Sequence, residues 1–255
     1  MIELSDIQEK ICELILKTPP PGKHSARNAI SHIKKAWLLK EVDKEMSVFR
    51  AITAEEEAAT AIFHSLKRHN YKGANRINYR KHVHKAALSP FLRAIRSFFD
   101  TCKNEYLSDP ELAIDFEEKN PKFRLRFTLK IPDKDSVYVY PDPPLNWTIK
   151  VNDIICYFSD EFKKIAEKEN VVSIIDYIKE LANKRNRILY SSEKGIPGIS
   201  GTIDGFLKRK TELIFLFLTI FLLIDTYKEH QSFVQQALNS FLRMLGKLPK
   251  DIDFL

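Results

Sequence analysis

Three cations and one amide stand together near the end of a predicted helix. The helix has an apolar face that includes Ile174, Ile178 and Leu181, and the run Lys184-Arg185-Asn186-Arg187 occupies its last turns. A guanidinium group here could meet a phosphate oxygen, which makes the segment a candidate site. Cations also stabilise the unpaired carbonyl groups at a helix C-terminus, by about 0.3–1 kcal/mol each when exposed. Both interpretations stay open from these residues alone.

A second concentration of positive charge lies between Ala58 and Phe99, where the sequence has no Asp or Glu. The chain has a net charge of +7, so the remainder carries about −2 once the cations of this segment are set aside. Together with four histidines and two tyrosines, these cations could bind phosphates and stack on bases. The alternative is neutralisation within the protein, because acidic residues flank the segment on both sides. The cations are Lys67, Arg68, Lys72, Arg76, Arg80, Lys81, Lys85, Arg93 and Arg96.

Three consecutive glutamates, Glu55, Glu56 and Glu57, are the main candidates for metal chemistry. With His82 they could meet across helices as a carboxylate–imidazole cluster. We favour the alternative that they form a solvated acidic first turn, which a helix N-terminus stabilises. No histidine pair in the basic segment has the i, i+4 spacing of a helical zinc site. The sequence therefore predicts no metal and no cofactor.

Helical periodicity dominates the chain. We predict an N-terminal helix, a second from about 24 to 47, a third that starts with a capping box at Thr53 and Glu56, and a fourth from about 79 that kinks at Pro90. Later helices are expected from about 158, over 171–187, over 206–228 and over 231–246. Apolar and polar residues alternate from Phe123 to Ile131, and shorter strand patterns follow at 137–140 and 147–151. The predicted fold is thus mainly α: a single helical domain, 1–255, with a small three-stranded antiparallel β insertion at 121–152.

Location is predicted from the cysteines, the apolar segments and the N-terminus. Cys12, Cys102 and Cys156 are far apart, which fits a reducing cytosol better than a disulfide framework. The segment Leu213–Ile224 is shorter than the ~20 apolar residues that span a bilayer, so it is expected to be a bundle centre or a subunit interface. The first 17 residues form an amphipathic pattern and not a secretory signal. We expect a cytoplasmic protein without a membrane segment.

The run Arg185-Asn186-Arg187-Ile188-Leu189-Tyr190, between two helices, resembles the motif of the HEPN superfamily, in which Arg and a polar residue precede a His. Tyr190 occupies the His position. Residues 24–96 also resemble the abortive-infection AbiV group of that superfamily, which has paired glutamates in one helix and His-x-x-Lys in the next. Glu55, Glu56, His82 and Lys85 are the matching positions, whereas Thr60 stands where a lysine is expected.

The resemblance implies a helical homodimer that cuts RNA without a metal. Its catalytic residues would be Arg185, Asn186 and Tyr190: a 2′-hydroxyl attacks the adjacent phosphate, and Arg185 stabilises the charge that builds on the phosphoryl oxygens. Tyr190 suits proton transfer poorly, because a phenol with a pKa near 10 is mostly a donor at neutral pH. RNA binding without cleavage therefore remains open.

A second copy of the motif, Arg27 to His32, is the second-choice catalytic pair. Five residues along a helix separate two side chains by about 140°, so they share a face only if the helix begins between them. About one such match is expected by chance in this composition.

The leading functional hypothesis is a HEPN-like RNA-cleaving or RNA-binding protein of bacterial phage defence. The alternative is a non-enzymatic helical module that binds a partner protein or RNA. The homodimer is expected to use the 206–228 helix or its neighbours. The residues expected to bind nucleic acid are Lys184, Arg187, Arg76, Arg80, Lys81, His82 and Lys85.

Overall fold

The computed structural model describes residues 3–101, 111–115, 122–131, 135–189, 202–249 and 251–254, with the backbone alone at 112–115, 184–186 and 188–189. The described chain is mainly helical, which confirms that part of the predicted fold. Its helices are α1 (Asp6–Lys17), α2 (Gly22–Leu39), α3 (Lys44–Arg68), α4 (His82–Ala86), α5 (Leu88–Thr101), α6 (Ser159–Lys168), α7 (Ile174–Leu189), α8 (Ile203–Asp225) and α9 (Ser232–Met244).

Helices α2 and α3 form the most extensively packed helix pair of the bundle. Fully buried alanines on both helices allow the backbones to approach closely. The break between the helices lies at residues 40–43, where the Asp43 side chain caps α3 by accepting a hydrogen bond from the Met46 amide at 2.8 Å. The predicted capping box is therefore wrong, since Thr53 lies inside α3 and donates its hydroxyl hydrogen to the Phe49 carbonyl.

Helix α8 fills the centre of the bundle. It packs against α1, α2 and α3, and most of its apolar side chains are buried, including Phe217 and Phe221. Its approach to α2 is so close that a Cβ atom added at Gly22 would come within 2.8 Å of the Phe221 ring. The twelve-residue apolar segment is thus the bundle centre. No helix in the described ranges combines the length and the apolarity needed to cross a membrane.

The predicted fourth helix is divided into α4 and α5 at Ala87. Pro90 has no amide hydrogen, and its ring would clash with the carbonyl group four residues earlier, at Ala86. Helix α4 accordingly ends at Ala86, and the Phe91 amide bonds to the Ala87 carbonyl one turn into α5. The break lies three residues before the proline, and it sets the direction of the short helix that carries His82.

The β strands form small antiparallel pairings that extend from Glu111 to Ile155, beyond the predicted 121–152 insertion, and they do not make the single sheet of three strands that the sequence predicts. Strand β2 (Lys122–Leu129) pairs with β1 (Glu111–Asp115) on one edge and with β3 (Val137–Val139) on the other, whereas β4 (Lys150–Val151) pairs only with β5 (Ile154–Ile155). The alternation predicted for β2 is present, because Phe123, Leu125 and Phe127 are buried between half-exposed neighbours.

Two buried glutamines attach the segment around β4 and β5 to α9. Gln236 accepts a hydrogen bond from the Ile149 amide at 2.9 Å and donates to the carbonyls of Ile149 and Cys156. Gln231 accepts from the Leu145 amide at 2.8 Å. Side chains at the start of α9 therefore satisfy two backbone amides that a neighbouring strand would satisfy in a larger sheet.

Candidate functional site

Glu56 holds two cationic or ionisable partners at the centre of the candidate site. Its side chain, only 6% exposed, projects from the middle of α3 toward α4. The Nδ1 atom of His82 lies 2.8 Å from Glu56 Oε1, and the Nζ atom of Lys85 lies 2.8 Å from Oε2. His82 and Lys85 are three residues apart, so the single short helix α4 presents both side chains on one face.

The neighbouring glutamates connect α3 to two other helices. Glu55 is buried and forms an ion pair with Lys210 of α8, whose ammonium group also lies 5.8 Å from the Phe206 ring centroid. Glu57 accepts a long hydrogen bond, 3.5 Å, from Asn28 of α2. Successive helical side chains point about 100° apart, so three adjacent carboxylates reach three different helices.

The expected solvated acidic first turn is wrong. The glutamates begin eleven residues into α3, which starts at Lys44, and Glu55 and Glu56 are both buried. The structure instead joins Glu56 to His82 and Lys85, three of the four positions that the AbiV resemblance marks. Lys210 was missed, because its pairing with Glu55 spans 155 residues and has no local sequence signal.

The geometry around His82 suits proton transfer. The imidazole side chain is 40% exposed, whereas the carboxylate that binds it is buried. When Nδ1 carries a proton it donates to Glu56, which orients the ring and leaves Nε2 as the basic nitrogen. The ammonium group of Lys85 offsets the negative charge of the same carboxylate. Among the residues that the structure describes, no group of three or more His, Cys, Asp or Glu could hold a metal ion.

The Arg185 motif lies at the C-terminal end of α7, as the sequence predicts. This helix contains Lys184, Arg185, Asn186 and Arg187 and packs against α3 and α4, the two helices that carry Glu56 and His82. Arg187 is exposed to solvent. The side chains of residues 184–186, and the whole of Tyr190, fall outside the described part of the chain.

The second copy of the motif lies within one continuous helix. Arg27 and His32 both belong to α2, which begins at Gly22, so they point to different sides of the helix. Arg27 is exposed, and the Nδ1 atom of His32 lies 3.2 Å from Nη1 of Arg50 in α3. The condition under which the pair would share a face is not met.

The basic segment divides into cations with carboxylate partners and cations without them. Lys85 pairs with Glu56, and three arginines also form ion pairs: Arg68 with Asp225 at 3.0 Å, Arg93 with Glu169 at 2.9 Å and Arg96 with Asp100 at 3.9 Å. For Lys67, Lys72, Arg76, Arg80 and Lys81, no carboxylate of the described residues lies within 4.0 Å. Both sequence interpretations therefore apply, each to a different part of the segment.

Comparisons with known proteins add nothing to these geometric observations. No family model, no curated protein and no solved structure matches the chain.

Proposed function

We propose that this protein is a HEPN-like RNA-binding protein of bacterial phage defence that cleaves RNA without a metal, with His82 as its proton-transfer group. The observation that carries the proposal is the imidazole of His82 held through Nδ1 by the buried carboxylate of Glu56. An imidazole can accept a proton on one ring nitrogen while the other donates a hydrogen bond, which suits it to general base catalysis. His82 fits this role better than the phenol of Tyr190.

The proposed reaction is an internal attack on the RNA backbone. Nε2 of His82 takes the proton of the 2′-hydroxyl, the 2′-oxygen bonds to the adjacent phosphorus, and the 5′-oxygen leaves with a proton from solvent. The products are a 2′,3′-cyclic phosphate and a 5′-hydroxyl. Arg185 would stabilise the charge on the non-bridging oxygens. Its helix, α7, packs on the two helices that build the Glu56–His82 pair.

The test is cleavage of structured, end-labelled RNA in the presence of a chelator. His82→Asn retains a hydrogen-bonding group near Glu56 but cannot carry a proton, and we expect it to lower the cleavage rate about 100-fold or more. Arg185→Ala is expected to lower the rate by a factor on the order of 100–1,000. Tyr190→Phe tests whether the phenol contributes to cleavage independently of His82 and Arg185. Arg96→Ala is the matched control, because this arginine is 84% exposed and pairs only loosely with Asp100.

Two results would contradict the catalytic proposal: wild-type protein that leaves RNA intact, or cleavage that persists unchanged in His82→Asn and Arg185→Ala. The first result combined with RNA binding would favour the alternative of a non-enzymatic RNA-binding module. The specific observation behind that alternative is the group of cations without described carboxylate partners, Lys67, Lys72, Arg76, Arg80 and Lys81.

A further inference from the structure

Lysines from three separate parts of the chain converge around the buried side chain of His84. Lys67 comes from the end of α3, Lys81 from the residue before α4, and Lys247 from the chain after α9. Burial is the main reason that the pKa of His84 is lowered, and the positive charges of Lys81, Lys247 and Lys67 lower it further. The positive charges of all three lysines thus act on the same imidazole.

Hydrogen bonds fix the loop that joins these segments. The Asn78 amide donates to His84 Nδ1 at 3.0 Å, and the Arg80 amide donates to the Asn78 side-chain oxygen at 2.9 Å. Arg76 donates from Nη1 to the Lys247 carbonyl at 2.7 Å, which ties the loop to the C-terminal segment. The backbone that carries Arg76, Arg80 and Lys81 is thus held in a defined conformation.

The ring of Tyr79 brings one of these lysines, Lys67, together with Arg80. Lys67 Nζ lies 5.2 Å from the centroid of this ring, and Arg80 Cζ lies 5.7 Å from it. His64 packs against the same ring with its centroid 4.8 Å away. Lys67 consequently belongs both to the group around His84 and to the group around Tyr79, so the two groups form one surface.

The surface lacks described counter-charges. None of the carboxylates in the described ranges lies within 4.0 Å of Lys67, Arg76, Arg80, Lys81 or Lys247, whereas the neighbouring Arg68 and Lys85 each have such a partner. Like charges held together raise the free energy of the protein, and a bound polyanion would remove that cost. Five cations contributed by several segments suit the many charges of a phosphate chain better than a single carboxylate ligand.

We propose that Lys67, Arg76, Arg80, Lys81 and Lys247, here called the loop surface, bind the phosphodiester backbone of RNA. Lys81 directly precedes His82, which places the loop surface next to the Glu56–His82 pair. The inference rests on the proposed function for its choice of RNA as the ligand. It adds Lys67, a cation of the basic segment, and Lys247, which lies outside that segment, and assigns both to holding the substrate and not to chemistry.

The experiment measures RNA affinity against salt concentration in full-length His82→Asn protein, in which the proposed cleavage cannot obscure binding. Adding Lys67→Gln and Lys247→Gln should reduce the slope of log affinity against log salt by about 1.4, at roughly 0.7 for each lost phosphate contact with single-stranded RNA. At low salt the affinity should fall about 10-fold or more. Lys35→Gln with Lys208→Gln, two exposed lysines of α2 and α8, is the matched control and should leave the slope unchanged.

Competition identifies the source of the phosphates. Inorganic polyphosphate and vesicles that contain phosphatidylserine are added separately to the RNA complex. We expect RNA to be displaced only weakly by either. Tighter binding of vesicles or polyphosphate than of RNA would overturn the assignment, as would an unchanged slope in the Lys67 and Lys247 variant.

The results also separate this inference from the proposed catalysis. Lysine-dependent RNA binding by a wild-type protein that cuts nothing would remove the catalytic role of His82 and keep the loop surface. Cleavage that depends on His82 but is insensitive to Lys67 and Lys247 would keep the catalytic role of His82 and remove the loop surface.

Discussion

Glu56 is buried in the middle of α3 and binds both His82 and Lys85. The sequence shows three adjacent glutamates, and Glu56 and His82 are separated by only 26 positions in the sequence. The sequence nevertheless favours a solvated helix start, because Thr53 and Glu56 have the spacing of a capping box. The Asp43 cap begins α3 earlier and places the glutamates in mid-helix, where tertiary packing determines their partners.

The buried Glu56 should contribute strongly to stability. Glu56→Gln keeps the side-chain shape but leaves the buried ammonium group of Lys85, 8% exposed, without its counter-charge. We expect the free energy of unfolding to fall by about 3 kcal/mol, which is typical of breaking a buried pair. Urea denaturation monitored by circular dichroism measures the change.

Glu57→Gln is the internal comparison for this prediction. Glu57 is only half-buried and makes one long hydrogen bond, so its replacement should change the unfolding free energy by less than about 0.5 kcal/mol. Equal effects of the two substitutions would show that the Glu56 pair is not a stabilising interaction.

At the scale of elements, helix identity is more predictable than helix boundaries. The predicted helix from 24 to 47 joins what are two helices, because Val42 and Met46 continue the apolar periodicity of α2. Val42 is in fact 85% exposed, so the apolar pattern there does not report a buried face. Similarly, only Lys150 and Val151 of the predicted 147–151 strand belong to a strand. The Ile149 amide donates to the Gln236 side chain, while the Ile149 carbonyl accepts from the Cys156 amide just after β5.

The Asp43 cap is a direct test of this boundary. Asp43→Ala removes the acceptor for the Met46 amide, and we expect the free energy of unfolding to fall by about 1 kcal/mol. Thermal unfolding followed by calorimetry gives the value. Glu41→Ala, which changes a nearby carboxylate that is 75% exposed, should have almost no effect, and a similar loss in both variants would argue against capping.

At the scale of the whole molecule, the expected homodimer remains a prediction. Helix α8 was proposed for its interface, but most of its apolar residues are buried within one chain. Leu216 is the large apolar residue of α8 that stays exposed, at 48%. A contact through α8 must therefore use the exposed side of the helix, which carries Leu216.

A single charge on that side should separate the subunits. Leu216→Glu would place a carboxylate in an apolar contact, where an unpaired charge is strongly unfavourable. We expect light scattering to give a dimer for the wild type and for the control Leu38→Glu, whose leucine is 57% exposed on α2, and a monomer for Leu216→Glu. A monomeric wild type would remove the homodimer from the proposal.

The central position of α8 has a consequence for biosynthesis. Its partners α1, α2 and α3 have all been synthesised once residue 68 has been made. Their packing cannot be completed until α8, which ends at Asp225, has also been synthesised. At roughly 5–20 residues per second, a ribosome needs about ten to thirty seconds for the intervening chain. During that interval the alanine-rich and aromatic faces of the early helices are exposed, so the nascent protein should depend on chaperones that shield it until translation delivers the last third of the chain.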